Sequence, residues 1–233
     1  MKLTNSVALV TGANRGLGRH FAEQLLERGA TKVYATARRP ELVDLPGVEV
    51  LRVDLTDPAS MIAAAAVATD LTLLINNAGN SSFVNLVDGD DAEIQGQLDS
   101  FFWGPLRLIR AFAPVLKANG GGAILNIASA MSWVAGDTAN AYHVAKAAEW
   151  AMTTSVRLEL AAQGTRVAGA YFGMTDTGHQ DFWTGPLNDP AQIVRTTLDG
   201  LEADRLEIIA DELAAGAKAV VAGDPRDFYP VAV

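Results

Sequence analysis

Seven short, continuously apolar and β-branched runs recur along the chain, at residues 7–10, 32–36, 48–53, 71–75, 123–127, 166–171 and 206–210. A strand with one wet face alternates polar and apolar side chains. A strand that stays apolar through both directions needs cover on both faces, which is the condition of a parallel sheet between helical layers. Helix punctuation lies between the runs. Asp57-Pro58 offers an N-cap followed by proline at the first helical position, and Gly29 and Gly164 stand where helices need a left-handed residue to stop. This alternation predicts right-handed βαβ crossovers and an α/β fold, a doubly wound parallel sheet of about seven buried strands flanked by helices. The ligand crevice of such a sheet lies beyond the carboxyl ends of its strands.

No proline- or serine-rich linker and no repeat interrupts the pattern, and Gly120, Gly121 and Gly122 read as a turn, so residues 1–233 read as a single domain. Eighteen basic against 27 acidic residues leave a net charge of −9, which removes the electrostatic basis for nucleic-acid or anionic-membrane binding. The chain has no cysteine, so disulfides, thiolate metal sites and cysteine nucleophiles are excluded, and a reducing, cytoplasmic location is expected. The apolar run 7–10 is far shorter than a signal-peptide core, and no run approaches the roughly 18 apolar residues of a membrane helix. Asp88-Gly89-Asp90-Asp91 has a fragment of a calcium-loop pattern without its remaining ligands and reads as a solvated loop; no metal is expected.

Chemistry is sought just after the strands. The first is followed by Thr11-Gly12-Ala13-Asn14-Arg15-Gly16-Leu17-Gly18 and then a helix with Phe21, Leu25 and Leu26 on one face. Glycines in a strand–turn–helix context let backbone approach a pyrophosphate, and free N–H groups at the helix start face the anion. The second strand ends in Thr36-Ala37-Arg38-Arg39. No carboxylate stands there to bind a ribose 2′-hydroxyl, and Arg38 offers a planar fork for a 2′-phosphate with Arg15 as a second contact, so NADP(H) is preferred over NAD(H). Asp54, beside Leu55 after the third strand, reads either as an acceptor for the adenine amino group or as a turn cap.

Tyr142 and Lys146 stand four apart in a segment, 141–163, that reads as one long helix, and so share a face. Ser129 ends the fifth strand in Asn126-Ile127-Ala128-Ser129, thirteen positions before the tyrosine. A lysine cation near a phenol favours the phenolate and brings its pKa down from about 10.

Through Thr11 to Gly18, Asn76-Asn77-Ala78-Gly79, Ser129, Tyr142-x-x-x-Lys146 and the stretch from Gly173 through Thr175 to Thr177, the sequence resembles the short-chain dehydrogenase/reductase family. The resemblance implies a Rossmann-type nicotinamide domain. Ser129 would orient a carbonyl, Tyr142 would exchange its proton, and Lys146 would bind the nicotinamide ribose. The implied cofactor contacts are Gly12, Asn14, Arg15, Gly16, Leu17 and Gly18, with Arg38, Asp54 and Leu55. Asn77, Ala78, Gly79, Gly173, Thr175 and Thr177 complete them, alongside Tyr142 and Lys146 themselves. It further implies a homodimer or homotetramer packed through the helix of segment 101–119 and the helix carrying Tyr142.

Departures from the family pattern are specific. Aligned on Gly104-Pro105, Phe101 occupies the usual asparagine position, which in many relatives helps hold a water against the lysine. Ala145 stands for a common serine and Phe172 for a common proline. By resemblance Met131, Trp133, His143 and the Phe182-Trp183 pair fall near the substrate cleft or its lid and suggest a largely apolar carbonyl or alcohol, although each is also a credible core or surface residue; His179 reads as a loop histidine. Two functions follow. One is NADP(H)-dependent interconversion of a ketone or aldehyde with an alcohol, imine or other C=X reduction on the same framework staying open. The other is a nicotinamide-binding sensor or scaffold of weak catalysis, motivated by Phe101.

Overall fold

The computed structural model describes residues 1–136, 138–178 and 183–229. Its core is one seven-stranded parallel sheet, formed by β1 (Val7–Thr11), β2 (Lys32–Ala37), β3 (Glu49–Arg52), β4 (Leu73–Asn76), β5 (Ala123–Ile127), β6 (Arg166–Tyr171) and β7 (Glu207–Ile209). The strand order is β3-β2-β1-β4-β5-β6-β7. Helices α1 (Gly16–Glu27), α2 (Pro58–Val67), α3 (Asp91–Leu98), α4 (Gly104–Ala118), α5 (Asn140–Leu160), α6 (Pro190–Glu202) and α7 (Glu212–Val220) fill the connections. This is the Rossmann-type doubly wound arrangement.

The apolar runs are explained by two cores, one on each face. Ala8 and Val10 of β1, Leu73 and Ile75 of β4, and Leu125 of β5 pack with Phe21 and Leu25 of α1 and Val194 and Leu198 of α6. The intervening Leu9, Leu74 and Ile124 face the other way, onto Met61 of α2, Leu108 and Phe112 of α4 and Met152 and Val156 of α5. Each of the larger of these side chains contributes about 1.5–3 kcal/mol by burial, and neither face can be given up.

The sequence boundaries shift where the sheet ends. Run 48–53 is not a buried strand. It forms only β3, an edge whose Glu49, Val50 and Arg52 are exposed, and the flanking charges suit an edge because they discourage pairing with another chain. Run 206–210 likewise contracts to the opposite edge, β7. The 101–119 segment begins earlier and differently: a π-helical turn, Asp99–Trp103, joins α3 to α4 and carries Phe101. Segment 141–163 becomes α5 plus the 3-10 turn Ala161–Gln163, stopped by Gly164 at φ +77°. Asp57 caps α2 by accepting from the Ala59 N–H, and Asp90 caps α3 by accepting from Ala92 and Glu93, which gives the Asp-rich loop its structural use. Among the described residues no helix is long and apolar enough to cross a membrane.

Chain direction across the sheet reverses between β1 and β4. β1 leads outward to β2 and β3, whereas β4 starts the run to β7. At such a switch point the flanking connections leave on opposite faces and open a crevice at the strand tips.

Candidate active site

A cleft of about 810 Å³ occupies that crevice. At its centre the turn from β1 to α1 lies against the end of β4. Gly12 has φ +68°, and a Cβ there would stand 3.1 Å from the Ala78 Cα. The turn is held by side-chain bonds: the Thr11 hydroxyl accepts from the N–H groups of Asn77 and Ala78, both at 2.9 Å, and Asn77 Nδ2 donates to the Thr11 carbonyl at 2.9 Å. Asn77 thus ties β4 to β1 in addition to lining the cleft. Arg15 is the N-cap of α1 and makes no side-chain capping bond, so the first N–H groups of the helix keep their capacity for an anion.

Gly12, Asn14, Arg15, Gly16, Leu17, Arg38, Asp54, Leu55, Asn77, Ala78, Gly79, Tyr142, Lys146 and Thr177 line the cleft. Gly18 does not; it lies under the turn, where helix and strand approach too closely for any side chain. Thr175 is buried, donates to the Gly173 carbonyl at 3.1 Å and lies outside the lining set. Gly173 gives its N–H to Asp211 at 2.6 Å, and Asn188 Nδ2 donates to the same carboxylate oxygen at 2.6 Å. Asp211 therefore organises the loop after β6 while its other oxygen caps α7 through the Ala214 N–H. The sequence reading missed it, and an Asp before Glu-Leu-Ala-Ala is a signal that would have found a cap there.

Asp54 accepts from the Thr56 N–H and hydroxyl, at 3.0 and 2.8 Å, so it caps its own turn at the cleft edge. Burial acts to raise its carboxyl, but the Thr56 bonds and the charges of Arg38 and Arg52 outweigh it and hold it below the ordinary value. Arg15, Arg38 and Arg39 all line the cleft, and their side chains form no ion pair or hydrogen bond among the described residues.

At the opposite end Tyr142 and Lys146 face the cleft from the first two turns of α5. A buried polar ladder seats this helix: Asn76 Nδ2 donates to Asn126 at 2.8 Å, Asn126 Nδ2 to the Thr153 hydroxyl at 2.8 Å, and that hydroxyl to the Glu149 carbonyl at 2.7 Å. Asparagines inside apolar strands are its sequence signature. Lys146 Nζ donates to the Ile127 carbonyl and to Glu149 Oε2, both at 2.8 Å, and both side chains are nearly sealed from solvent. Phe101 lies with its ring centroid 4.1 Å from Lys146 Nζ and edge-on to Tyr142 at 5.2 Å between centroids. Gly79 makes room for it, since a Cβ there would fall 2.1 Å from Phe101 Cε1. Ser129 is buried at the end of β5, where its Oγ accepts from the Met131 N–H at 3.1 Å and retains its own proton for donation.

The expected substrate residues divide. Trp133 stacks on buried Tyr171, 4.4 Å between centroids, and is a packing residue rather than a cleft residue. His143 Nδ1 contacts the Met131 carbonyl at 2.6 Å, which turns the ring onto the loop after β5. Trp183 is exposed and donates to the Pro186 carbonyl. His179 and Phe182 lie outside the described residues. Among the described residues no group of three or more His, Cys, Asp or Glu is placed to hold a metal ion.

A solved short-chain dehydrogenase from Burkholderia cenocepacia, in complex with NADP, superposes with a TM-score of 0.92 at 36% identity over 97% of each chain. A short-chain dehydrogenase/reductase from Burkholderia phymatum, in complex with NAD, superposes at 0.85 over 100% of this chain and 99% of its own, and at 20% identity it shares the fold alone. Among curated relatives, the short-chain dehydrogenase ptmH of Penicillium ochrochloron is 34% identical over 179 residues, 72% of this chain and 65% of that relative's length. The family model described as short chain dehydrogenase matches residues 6–185, well over half of the 233 residues. On that match, the chain belongs to the short-chain dehydrogenase/reductase family, a family of oxidoreductases.

Proposed function

We propose that the protein is an NADP(H)-dependent oxidoreductase that interconverts a ketone or aldehyde with an alcohol by hydride transfer. The observation carrying this reading is the layout of one cleft: cationic groups and uncapped helix N–H groups at one end, Tyr142 and Lys146 at the other. The glycine cradle fits a dinucleotide because Cβ atoms at Gly12 and Gly16 would press on Ala78 and Thr177. Arg15, Arg38 and Arg39 fit a 2′-phosphate, since among the described residues the side chains of all three form no ion pair or hydrogen bond. In this reading the pyrophosphate lies at the start of α1, and Asn77, Ala78, Gly79 and Thr177 contact the nicotinamide half.

The nicotinamide, when bound, supplies or accepts the hydride. The chain's own residues handle the oxygen. As the hydride and its electron pair reach the carbonyl carbon, negative charge builds on oxygen, and the Ser129 hydroxyl stabilises it by donation. Tyr142 breaks its O–H bond to give the proton to that oxygen, and the phenolate regains a proton from solvent through the cleft. Alcohol oxidation runs these steps backward. The same reading assigns a small apolar carbonyl or alcohol substrate and a symmetric homo-oligomer packed through α4 and α5.

The experiment follows reduced-nicotinamide absorbance over a panel of ketones, aldehydes and imines, with NADPH and NADH in parallel. Tyr142→Phe should lower turnover at least 100-fold, the low end of general acid–base contributions, with NADPH affinity nearly unchanged. Wild-type rates in that variant refute the assignment. Phe101 favours the second reading, a cofactor-dependent sensor, because its ring covers Lys146 where relatives hold a water. Tight NADPH binding with no turnover over the whole panel would select it.

A further inference from the structure

Ser129 and Tyr142 flank one connection, the loop from β5 to α5. Among its described residues only the 3-10 turn Ala130–Ser132 is regular. Met131 is the hub of this loop. Its N–H donates to Ser129 Oγ at 3.1 Å, its carbonyl meets His143 Nδ1 at 2.6 Å, and its thioether lies over Gly136, where a Cβ would come 3.2 Å from Met131 Cε. Thr138 adds strain, because a β-branched residue at φ +68° keeps that conformation only where its surroundings impose it.

Late parts of the chain grip the loop. Trp133 is stacked on Tyr171, and Lys218 of α7 stands over the Trp133 ring at 5.5 Å. Lys218 pairs with Glu207 of β7, which also accepts from Trp150 Nε1 of α5 at 3.0 Å. After α7 comes the 3-10 turn Pro225–Asp227, capped by Asp224, whose carboxylate accepts from the Arg226 N–H at 2.9 Å. This turn places Tyr229. The Tyr229 N–H donates to the Pro225 carbonyl at 2.8 Å, and Phe228 lies edge-on to the Tyr229 ring at 5.0 Å between centroids. The Tyr229 hydroxyl then accepts from the Ala135 N–H at 2.8 Å, across 94 positions of sequence. Ala135 and Gly136 have no side chain that could anchor them, and the Tyr229 oxygen takes the place of one.

We propose that Tyr229 is a positioning residue for Ser129. Its hydroxyl fixes Ala135 and Gly136, Gly136 holds the Met131 side chain, and the Met131 N–H orients the Ser129 hydroxyl toward the carbonyl oxygen. Tyr229 itself touches no reacting atom. The inference rests on the role given to Ser129 above and adds the element that keeps that hydroxyl aligned.

The first test needs neither cofactor nor substrate. Losing a neutral hydrogen bond shifts the balance between held and released backbone by about two- to tenfold. In the full-length protein, Tyr229→Phe keeps the ring and removes only the acceptor, so amide hydrogen exchange in peptides spanning 131–136 should quicken by about that factor while β1, β4 and β5 keep wild-type protection. Tyr229→Ala should quicken it further. The second test follows turnover in the carbonyl panel. Because Ser129 acts where charge develops, kcat should fall in Tyr229→Phe by about two- to tenfold, with KM for the carbonyl and Kd for NADPH within about twofold. In a Ser129→Ala background the same change should cost nothing further, since a residue acting through the serine has nothing left to act on. Unchanged exchange in Tyr229→Phe, an effect confined to Tyr229→Ala, which would assign the role to ring packing, or a full additional loss in the Ser129→Ala background overturns the proposal. Absent turnover in the wild type would count against the proposed function, and the exchange rates would then decide whether the loop hangs on Tyr229.

Discussion

Gly18→Ala perturbs the point where α1 crosses the end of β1. A Cβ built there falls 2.2 Å from the Gly12 carbonyl oxygen, 2.6 Å from Asn77 Nδ2 and 2.7 Å from the Gly12 carbonyl carbon. Close C···O contacts in proteins run at roughly 3.3–3.6 Å, so α1 must retreat by about 1 Å. Two of the three atoms are backbone, and Asn77 is held to Thr11 at 2.9 Å, so nothing flexible can absorb the strain. The retreat would loosen Phe21, Ala22 and Leu25, all fully buried in the core on that face. Overpacking costs about 1–3 kcal/mol, and disturbing those three contacts puts this case at the upper end. Replacing glycine within a helix returns about 0.5–1 kcal/mol, leaving a net loss near 2 kcal/mol. With a urea slope of about 2–3 kcal/mol/M, the unfolding midpoint should fall by about 0.7–1 M. Gly216→Ala, in α7 with nothing within 4 Å of its Cβ position, is the control and should raise stability by about 0.5–1 kcal/mol. A Gly18→Ala midpoint at or above wild type would refute the close-approach argument.

Arg38→Asp replaces a cleft guanidinium that forms no ion pair or hydrogen bond among the described residues with a carboxylate that repels a 2′-phosphate and can accept from a 2′-hydroxyl; the ratio of NADPH to NADH affinity should fall at least tenfold by equilibrium fluorescence titration, and an unchanged ratio would remove Arg38 from the phosphate site. Burial acts to raise the Asp70 carboxyl, but bonds from Lys32 at 2.8 Å and Tyr34 at 2.9 Å leave it below the ordinary value. A depressed carboxyl contributes stability above the unfolded value of about 3.9 and loses it as pH falls through the folded value. Asp70→Asn should therefore flatten the decline of Tm below about pH 4, only by tenths of a kcal/mol because the carboxylate is 44% exposed, and an unchanged slope would show the pair adds nothing.

How far the site could be read in advance depended on distance along the chain. The glycine turn and the Tyr142–Lys146 pair are contiguous or one helical turn apart, and local geometry alone puts them on a common surface. The edge position of β3 was not legible, because an apolar run says that a segment forms a strand but not how many neighbours it will have. Trp133 illustrates the same gap. The family resemblance put it near the cleft, whereas the 3-10 turn Ala130–Ser132 swings it onto Tyr171. Asp211 was missed because its partners, Gly173 and Asn188, are 38 and 23 residues away.

Layering, the parallel sheet and the motif order follow from the residues in order, because hydrophobic periodicity and glycine-dependent turns act within a few residues. Folding decided which groups meet across elements: that Phe101 from the π-turn covers Lys146, that the carboxylate one turn further along α5 is sealed against it, and that an asparagine ladder seats the helix above the strand tips. Those contacts are set by how a helix docks and rotates on the sheet, and docking is the outcome of burying both apolar faces at once.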